Sequence, residues 1–241
     1  MNIFFTVLYQ PLFNLLVWLY DVIPGQDMGL AIIALTVIIR FVLLPMSGQS
    51  LKSQKAMQDL QPKIDEVKAR TKDNKEAQAK ELMELYKREK VNPLSSCLPM
   101  IVQLLVLIAL YRVLSAGLNS GSLDALYPFV HNPGHLDAYF FHAVDLATPN
   151  IVLAVLAGIV QFFQAKMMIT NRPPKAVQGT PGAKDETMMT AMNRSMLYFM
   201  PIITVVIGAR LPGGLALYWF ISNLFMVIQQ TVVFKKKTHA L

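Results

Sequence analysis

LPGGLALYWFISNLFMVIQQTVVF, residues 211–234, is a run of 24 residues without a charged side chain. A bilayer core about 30 Å thick takes roughly 20 apolar residues as one helix, so this run is long enough to cross it. Further uncharged runs lie upstream: 21 residues from Val91 to Tyr111, 20 from Leu146 to Ala165 and 15 from Ser195 to Ala209. The 15-residue run is short for a span and the others are comfortable. Met28 to Met46 is equally apolar except for Arg40 and makes a fifth candidate. The whole chain agrees: of 241 residues, 54% are hydrophobic and only 15% charged. That balance excludes an ordinary soluble domain and, short loops apart, intrinsic disorder. With one cysteine, a disulfide-stapled secreted fold is excluded as well.

The first 20 residues are hydrophobic too, but Gln10, Pro11 and Asn14 interrupt them, and Asp21, Pro24, Gly25 and Asp27 end them. Lacking a basic start and a small-residue cleavage site, they make a poor signal peptide. Tyr9, Trp18 and Tyr20 suit an amphipathic helix lying in the membrane interface better than a sixth span. Orientation follows from Lys and Arg. The segment Gln49 to Lys90 holds 11 of them, Arg172 to Arg194 holds four, and the tail carries Lys235, Lys236 and Lys237, whereas residues 1–27 and Val113 to Asn150 hold none. The positive-inside rule therefore places the N-terminus outside and the C-terminus in the cytoplasm. Arg112 and Arg210, single charges at outer helix ends, are too few to reverse this.

The expected fold is an all-α polytopic membrane protein. An extracytoplasmic interfacial helix and turn covers 1–27, and spans cover 28–48, 92–113, 148–168, 194–210 and 211–234. A cytoplasmic hairpin covers 49–91, an outer loop 114–147, a cytoplasmic loop 169–193 and a basic tail 235–241. In the hairpin, Met57, Leu60, Ile64 and Val67, then Leu82 and Leu85, recur at the spacings of one helix face. Residues Thr71 to Asn74 form the expected turn, and Pro62 should kink or restart the first helix. Such a hairpin serves either as a solvated connector or as a docking arm for a partner or an emerging chain. The tail's lysines lie close enough to the membrane to anchor to anionic lipid.

Polar residues within the spans carry the functional signal. Arg40 lies about 18 Å along its helix from the outer end and about half that from the inner one. It should face water or a carboxylate unless its stem snorkels to the headgroups. The other four spans contain no Asp or Glu, so the arginine has no embedded counter-ion and is available to water or an anionic guest. Gln103, Gln161, Gln164, Ser222, Asn223, Gln229 and Gln230 add polar groups that either bridge helices or line a groove with Arg40. Signals for catalysis or cofactors are weak. Gly117 to Gly121 lacks the Gly-x-Ser-x-Gly spacing, so Ser120 reads as part of a turn. His131, His135 and His142, with Asp137 and Asp145, lack metal-site spacing, and no phosphate-cradling glycine loop occurs. The reading is a non-enzyme without cofactor or metal. A small-solute or ion channel is the alternative, and an intramembrane serine protease using Ser120 is a weaker one.

Ordered motifs make the sequence similar to a known family. Gly29-Leu-Ala-Ile-Ile followed by Arg40 and Pro45, Leu60-Gln-Pro-Lys-Ile64, and Leu85-Tyr-Lys87 running into Lys90-Val-Asn-Pro-Leu94 are the first matches. Cys97, Pro99 and Gln103 follow, then Pro212-Gly-Gly-Leu-Ala-Leu-Tyr218, Ser222-Asn223 and Gln229-Gln230. Over residues 11–234 the chain resembles the YidC/Oxa/Alb membrane protein insertases, on the pattern of bacterial members without the large periplasmic domain. The resemblance implies five spans, a cytoplasmic hairpin, and a hydrophilic groove open to cytoplasm and lipid but closed outside. It places Arg40 as the groove arginine, Gln161 or Gln164 near a third-span polar position, and Trp219 at a fifth-span aromatic position. Gln103, Ser222 and Asn223 complete the expected groove. The implied partners are nascent membrane proteins and the lipid bilayer, with the ribosome, the signal recognition particle pathway and the Sec translocon as further ones, and no specific nucleic acid. The implied location is the bacterial plasma membrane. The chain departs from the family in having neither a lipoprotein cysteine near its start nor a clear signal-anchor helix there.

Overall fold

A computed structural model describes residues 3–71, 74–92, 98–115, 123–168 and 197–235. Apart from one short strand pair, the described elements are helical. A π-helical turn, Phe5–Tyr9, leads into α1, Gln10–Val22. Then follow α2, Met28–Val42; α3, Leu44–Asp59; α4, Gln61–Arg70; α5, Lys75–Arg88; and α6, Leu98–Leu114. The antiparallel strands β1, Tyr139–Phe140, and β2, Val144–Asp145, precede α7, Ile151–Met168, α8, Leu197–Gly208, and α9, Gly213–Lys235.

Among the described residues, one helix, Gly213–Val233, suffices by length and composition to cross a membrane, and α2 with α3 passes the same test as a pair bent by 63°. Ile101–Leu114, Ile151–Met167 and Leu197–Gly208 are apolar but shorter. The break between α2 and α3 falls at Leu43, earlier than the expected span end at residue 48. Pro45 accounts for it, since proline has no N–H for the Phe41 carbonyl and its ring crowds that turn. Pro62 acts likewise, restarting the chain as α4 with Leu60 at its N-cap. Cys97, Ser120, the 169–193 loop and the tail beyond Lys235 lie outside the described residues.

The long helix α9 is the hub, packed against α7, α2, α3 and α6. The core joins Phe13, Leu16 and Val17 of α1 to Leu35 of α2, Val113 of α6 and Leu215 and Tyr218 of α9. Small residues allow the close approaches. A Cβ on Gly158 would stand 2.5 Å from Val205 Cγ2, one on Gly208 3.1 Å from Ala154 Cβ, and one on Gly214 3.0 Å from Ile32 Cδ1. Gly208 and Gly214 flank the α8–α9 connection, so close helix packing extends to that end of the bundle.

That end is also tied down by polar side chains. Asp27 caps α2 by accepting from Leu30 N at 2.9 Å, and its second oxygen accepts from Phe141 N. Asn14, which reads as an interruption of an apolar run, is instead buried in α1 and holds the loop between α6 and α7. Its Nδ2 donates to Ala125 O at 2.9 Å and its Oδ1 accepts from Tyr127 N at 2.6 Å. Gly213 N and Gly214 N donate to Thr148 O and Leu146 O, so the loop before α7 satisfies the first donors of α9. Arg112, at the end of α6, lies over the Phe4 ring at 5.3 Å. His131 Nδ1 lies 3.4 Å from Asp21 Oδ1.

A second, separate cluster holds α4 against α5: Leu60, Ile64 and Leu85, with Met57, Val67, Leu82 and Tyr86 around them. The ion pairs Lys63–Glu89 and Arg70–Glu81 run in opposite chain directions, which makes the two helices antiparallel. The Lys63 hydrogen bond holds the Glu89 carboxyl below its ordinary range. This pair therefore supports the hairpin at neutral pH and loses its contribution as pH falls through that lowered value. Asn74 starts α5 by accepting from Glu76 N and Ala77 N.

Candidate functional site: a buried polar chain at Arg40

Arg40 occupies the last turn of α2, where the carbonyl end of the helix dipole favours a cation. It is only 8% exposed although its neighbours Phe41 and Val42 face outward. Its Nη2 donates to Gln103 Oε1 on α6 at 2.8 Å, and Gln103 Nε2 donates in turn to the Tyr218 hydroxyl on α9 at 2.7 Å. Three helices are thus joined through one charged and two neutral groups. No carboxylate pairs with Arg40 among the described residues, and its Nε is buried without a hydrogen bond. A buried cation held by neutral dipoles alone retains unspent capacity to attract an anion or water.

Ser222, one turn beyond Tyr218 on α9, is fully buried on the same helix face. Asn223 points elsewhere, its Nδ2 donating to Ala157 O on α7 at 3.3 Å, so it ties two helices together. Gln161 and Gln164 are half-buried on α7, and Gln161 Oε1 is buried without a partner. Trp219 is half-buried and, about 100° round the helix from Tyr218, lies outside the Arg40–Gln103–Tyr218 chain. The structure therefore brings Arg40 and Gln103 into direct contact, sets Ser222 beside them on α9, and disperses Asn223, Gln161, Gln164 and Trp219 around α7 and α9. Tyr218 is the member that the sequence reading missed. Its spacing of four from Ser222 was the available signal, since it puts both hydroxyls on one face.

A lower polar tier lies further along α9. Gln229 and Ser47, on α3 just past the bend, exchange hydrogen bonds at 2.8 and 3.1 Å. Gln230 beside them is 0% exposed, and both its amide oxygen and its amide nitrogen lack partners. From Tyr218 to Gln229 the α9 polar positions extend roughly 16 Å along the helix. Outside these tiers, exposed Ile, Leu, Val and Phe dominate α6, α7, α8 and α9, more apolar surface than a water-facing protein carries.

Comparison with known proteins bears on the family and the fold. The family described as "60Kd inner membrane protein" matches residues 18–240. A crystal structure described as "Active YidC insertase crystal structure with the first transmembrane domain resolved" is similar at a TM-score of 0.57 and 21% identity. That match covers 95% of this chain and 46% of the other, so the present chain spans about half the length of that protein. At this identity the likeness is one of fold. With the family match covering nearly the whole length, the chain belongs to the 60Kd inner membrane protein family, the YidC/Oxa/Alb family that its motifs resemble.

Proposed function

We propose that this protein inserts nascent membrane proteins into the bacterial plasma membrane and helps them fold, using a hydrophilic groove centred on Arg40. One observation carries the reading: a buried arginine that donates to a neutral amide and has no carboxylate partner among the described residues, inside a helical bundle whose exposed faces are apolar. In this reading α2, α6, α7, α8 and α9 belong to five spans, α4 and α5 project into the cytoplasm, and α1 lies in the outer interface. The N-terminus is outside and the C-terminus cytoplasmic. The ribosome, the signal recognition particle pathway and the Sec translocon are partners this topology can serve from the cytoplasmic and lateral sides.

The physical task is to carry a hydrophilic tail across about 30 Å of hydrocarbon. Desolvation of its polar groups opposes this, and water with hydrogen-bonding side chains partway across shortens the costly path. Burial of the substrate's apolar helix in lipid then draws the process to completion. Arg40 favours acidic tails, Gln103 and Tyr218 hold the guanidinium in place, and the glycine-mediated contacts near Gly208 and Gly214 close the outer end. That closure argues against a continuous pore. The purified protein, reconstituted alone in liposomes, should protect a short membrane protein substrate in a protease-protection assay without conducting ions. Conductance without insertion overturns the proposal.

A second expected outcome concerns the hairpin as a docking arm. Its apolar cluster is separate from the main core. Replacing residues 68–80 with a short glycine-serine turn should leave the detergent melting temperature of the core unchanged and impair insertion severalfold. Loss of folding would make the hairpin a structural clamp instead.

A further inference from the structure

The outer loop carries aromatic rings that no part of the fold uses as core. Phe129 is 83% exposed and Phe141 64%. Each is nonetheless tied to the fold through a neighbouring ring. Phe141 rests against Phe140 with ring centres 4.5 Å apart, Phe140 fills the space over Gly29, and Phe141 N donates to Asp27. Phe129 stacks on Tyr127 at 5.3 Å, and Tyr127 N donates to the buried Asn14 of α1. Phe141 is thus anchored through its own backbone N–H to the cap of α2, and Phe129 through its stacking neighbour Tyr127 to α1.

The turn beneath Phe141 is not chosen for ease of turning. Phe141 and His142 both adopt positive φ, 48° and 55°, and Ala143 N closes the turn on Phe140 O. Asn-Gly relieves that backbone conformation, whereas a phenylalanine strains it. A strained position holding an exposed ring points to a use for the ring itself. Its level is set by Asp27, the residue that begins the first apolar helix. From Val113 to Asn150 the chain has no Lys or Arg and carries Asp124, Asp137 and Asp145, so attraction to an anionic surface is not available.

We propose that Phe129 and Phe141 form an aromatic foot that seats in the headgroup region of the outer leaflet and fixes the height of the outer loop above the first span. This rests on the topology proposed above. Exposed phenylalanine rings beside a span bury apolar area at the headgroup–acyl boundary, and this needs no charge. The foot should therefore hold equally well in zwitterionic bilayers and in high salt.

The test uses the full chain with Trp18 and Trp219 replaced by Phe, and one tryptophan introduced by Phe129→Trp, Phe141→Trp or, as a reporter on the exposed face of α9, Ile228→Trp. In bilayers of lipid brominated near the top of its acyl chains, both loop tryptophans should lose most of their emission and resist iodide. Quenching by iodide without quenching by bromolipid overturns the proposal, because the rings then sit in water. Shielding from both quenchers overturns it in favour of docking against protein. Ile228→Trp separates the two levels of the argument. If deep bromines fail to quench it, the membrane topology itself falls, and if they do quench it, the loop result judges the foot alone.

Discussion

Arg40→Ala is expected to lose insertion of substrates with acidic translocated tails by about 10- to 100-fold, the effect of removing a charged hydrogen-bonding partner worth roughly 1.5–3 kcal/mol. Its fold should survive. Alanine relieves a buried charge of its desolvation cost, while the group left behind is one neutral amide, Gln103, which keeps its bond to Tyr218. An arginine paired to a buried carboxylate would behave otherwise, leaving a bare charge and destabilising by about 3–5 kcal/mol. Arg40→Lys keeps the charge and one donor to Gln103, so it should retain substantial activity. Strong impairment by lysine as well would mean that the guanidinium fork matters more than the charge. Insertion and detergent melting temperature measured on both variants decide this. Unchanged insertion of every acidic-tailed substrate by Arg40→Ala would sink the groove-cation mechanism.

The second large effect is expected at Gly29. A Cβ there would lie 2.0 Å from Cδ2 and 2.7 Å from Cβ of Phe140, too close for a ring rotation alone to relieve. Gly29→Ala should therefore push β1 off the first turn of α2 and cost about 1–3 kcal/mol, as overpacking does. For a chain of this size each kcal/mol lowers the melting temperature by roughly 2–4 °C. In a Phe140→Ala background the alanine at residue 29 has room, and its added cost should vanish. Additive losses in the double variant would show that the two positions do not meet.

These two sites differ in how far the sequence disclosed them. Arg40 stood out because a charge in an apolar run is expensive wherever it faces, and its partner Gln103 stood out for the same reason. The hairpin's Leu60, Ile64 and Leu85 were legible because helical periodicity is local. Gly29 carried no such signal. It matters because of Phe140, 111 residues away, and nothing in the chain near residue 29 announces that neighbour. Asn14 misled for a related reason: a polar residue in an apolar run reads as a break until the loop whose backbone it satisfies is in view. Trp219 drew attention as the larger aromatic, while Tyr218 has the hydroxyl that Gln103 needs. Pro45 was quoted as part of a motif, yet its consequence, a 63° bend, depends on α3 finding α9 and α6 to pack against.

That bend sets up a lever. The arm beyond it, α3, has 16 residues and is therefore roughly 24 Å long. A swing of about 10° around Leu43 displaces its far end by roughly 4 Å, from the helix rise. Arg40, three residues before the pivot, scarcely moves. Ser47, four residues after it, shifts by about 1 Å on the same geometry, enough to part its hydrogen bonds to Gln229. A load applied at the far end of α3 would thus be felt first at the Ser47–Gln229 contact, while the cation stays in place.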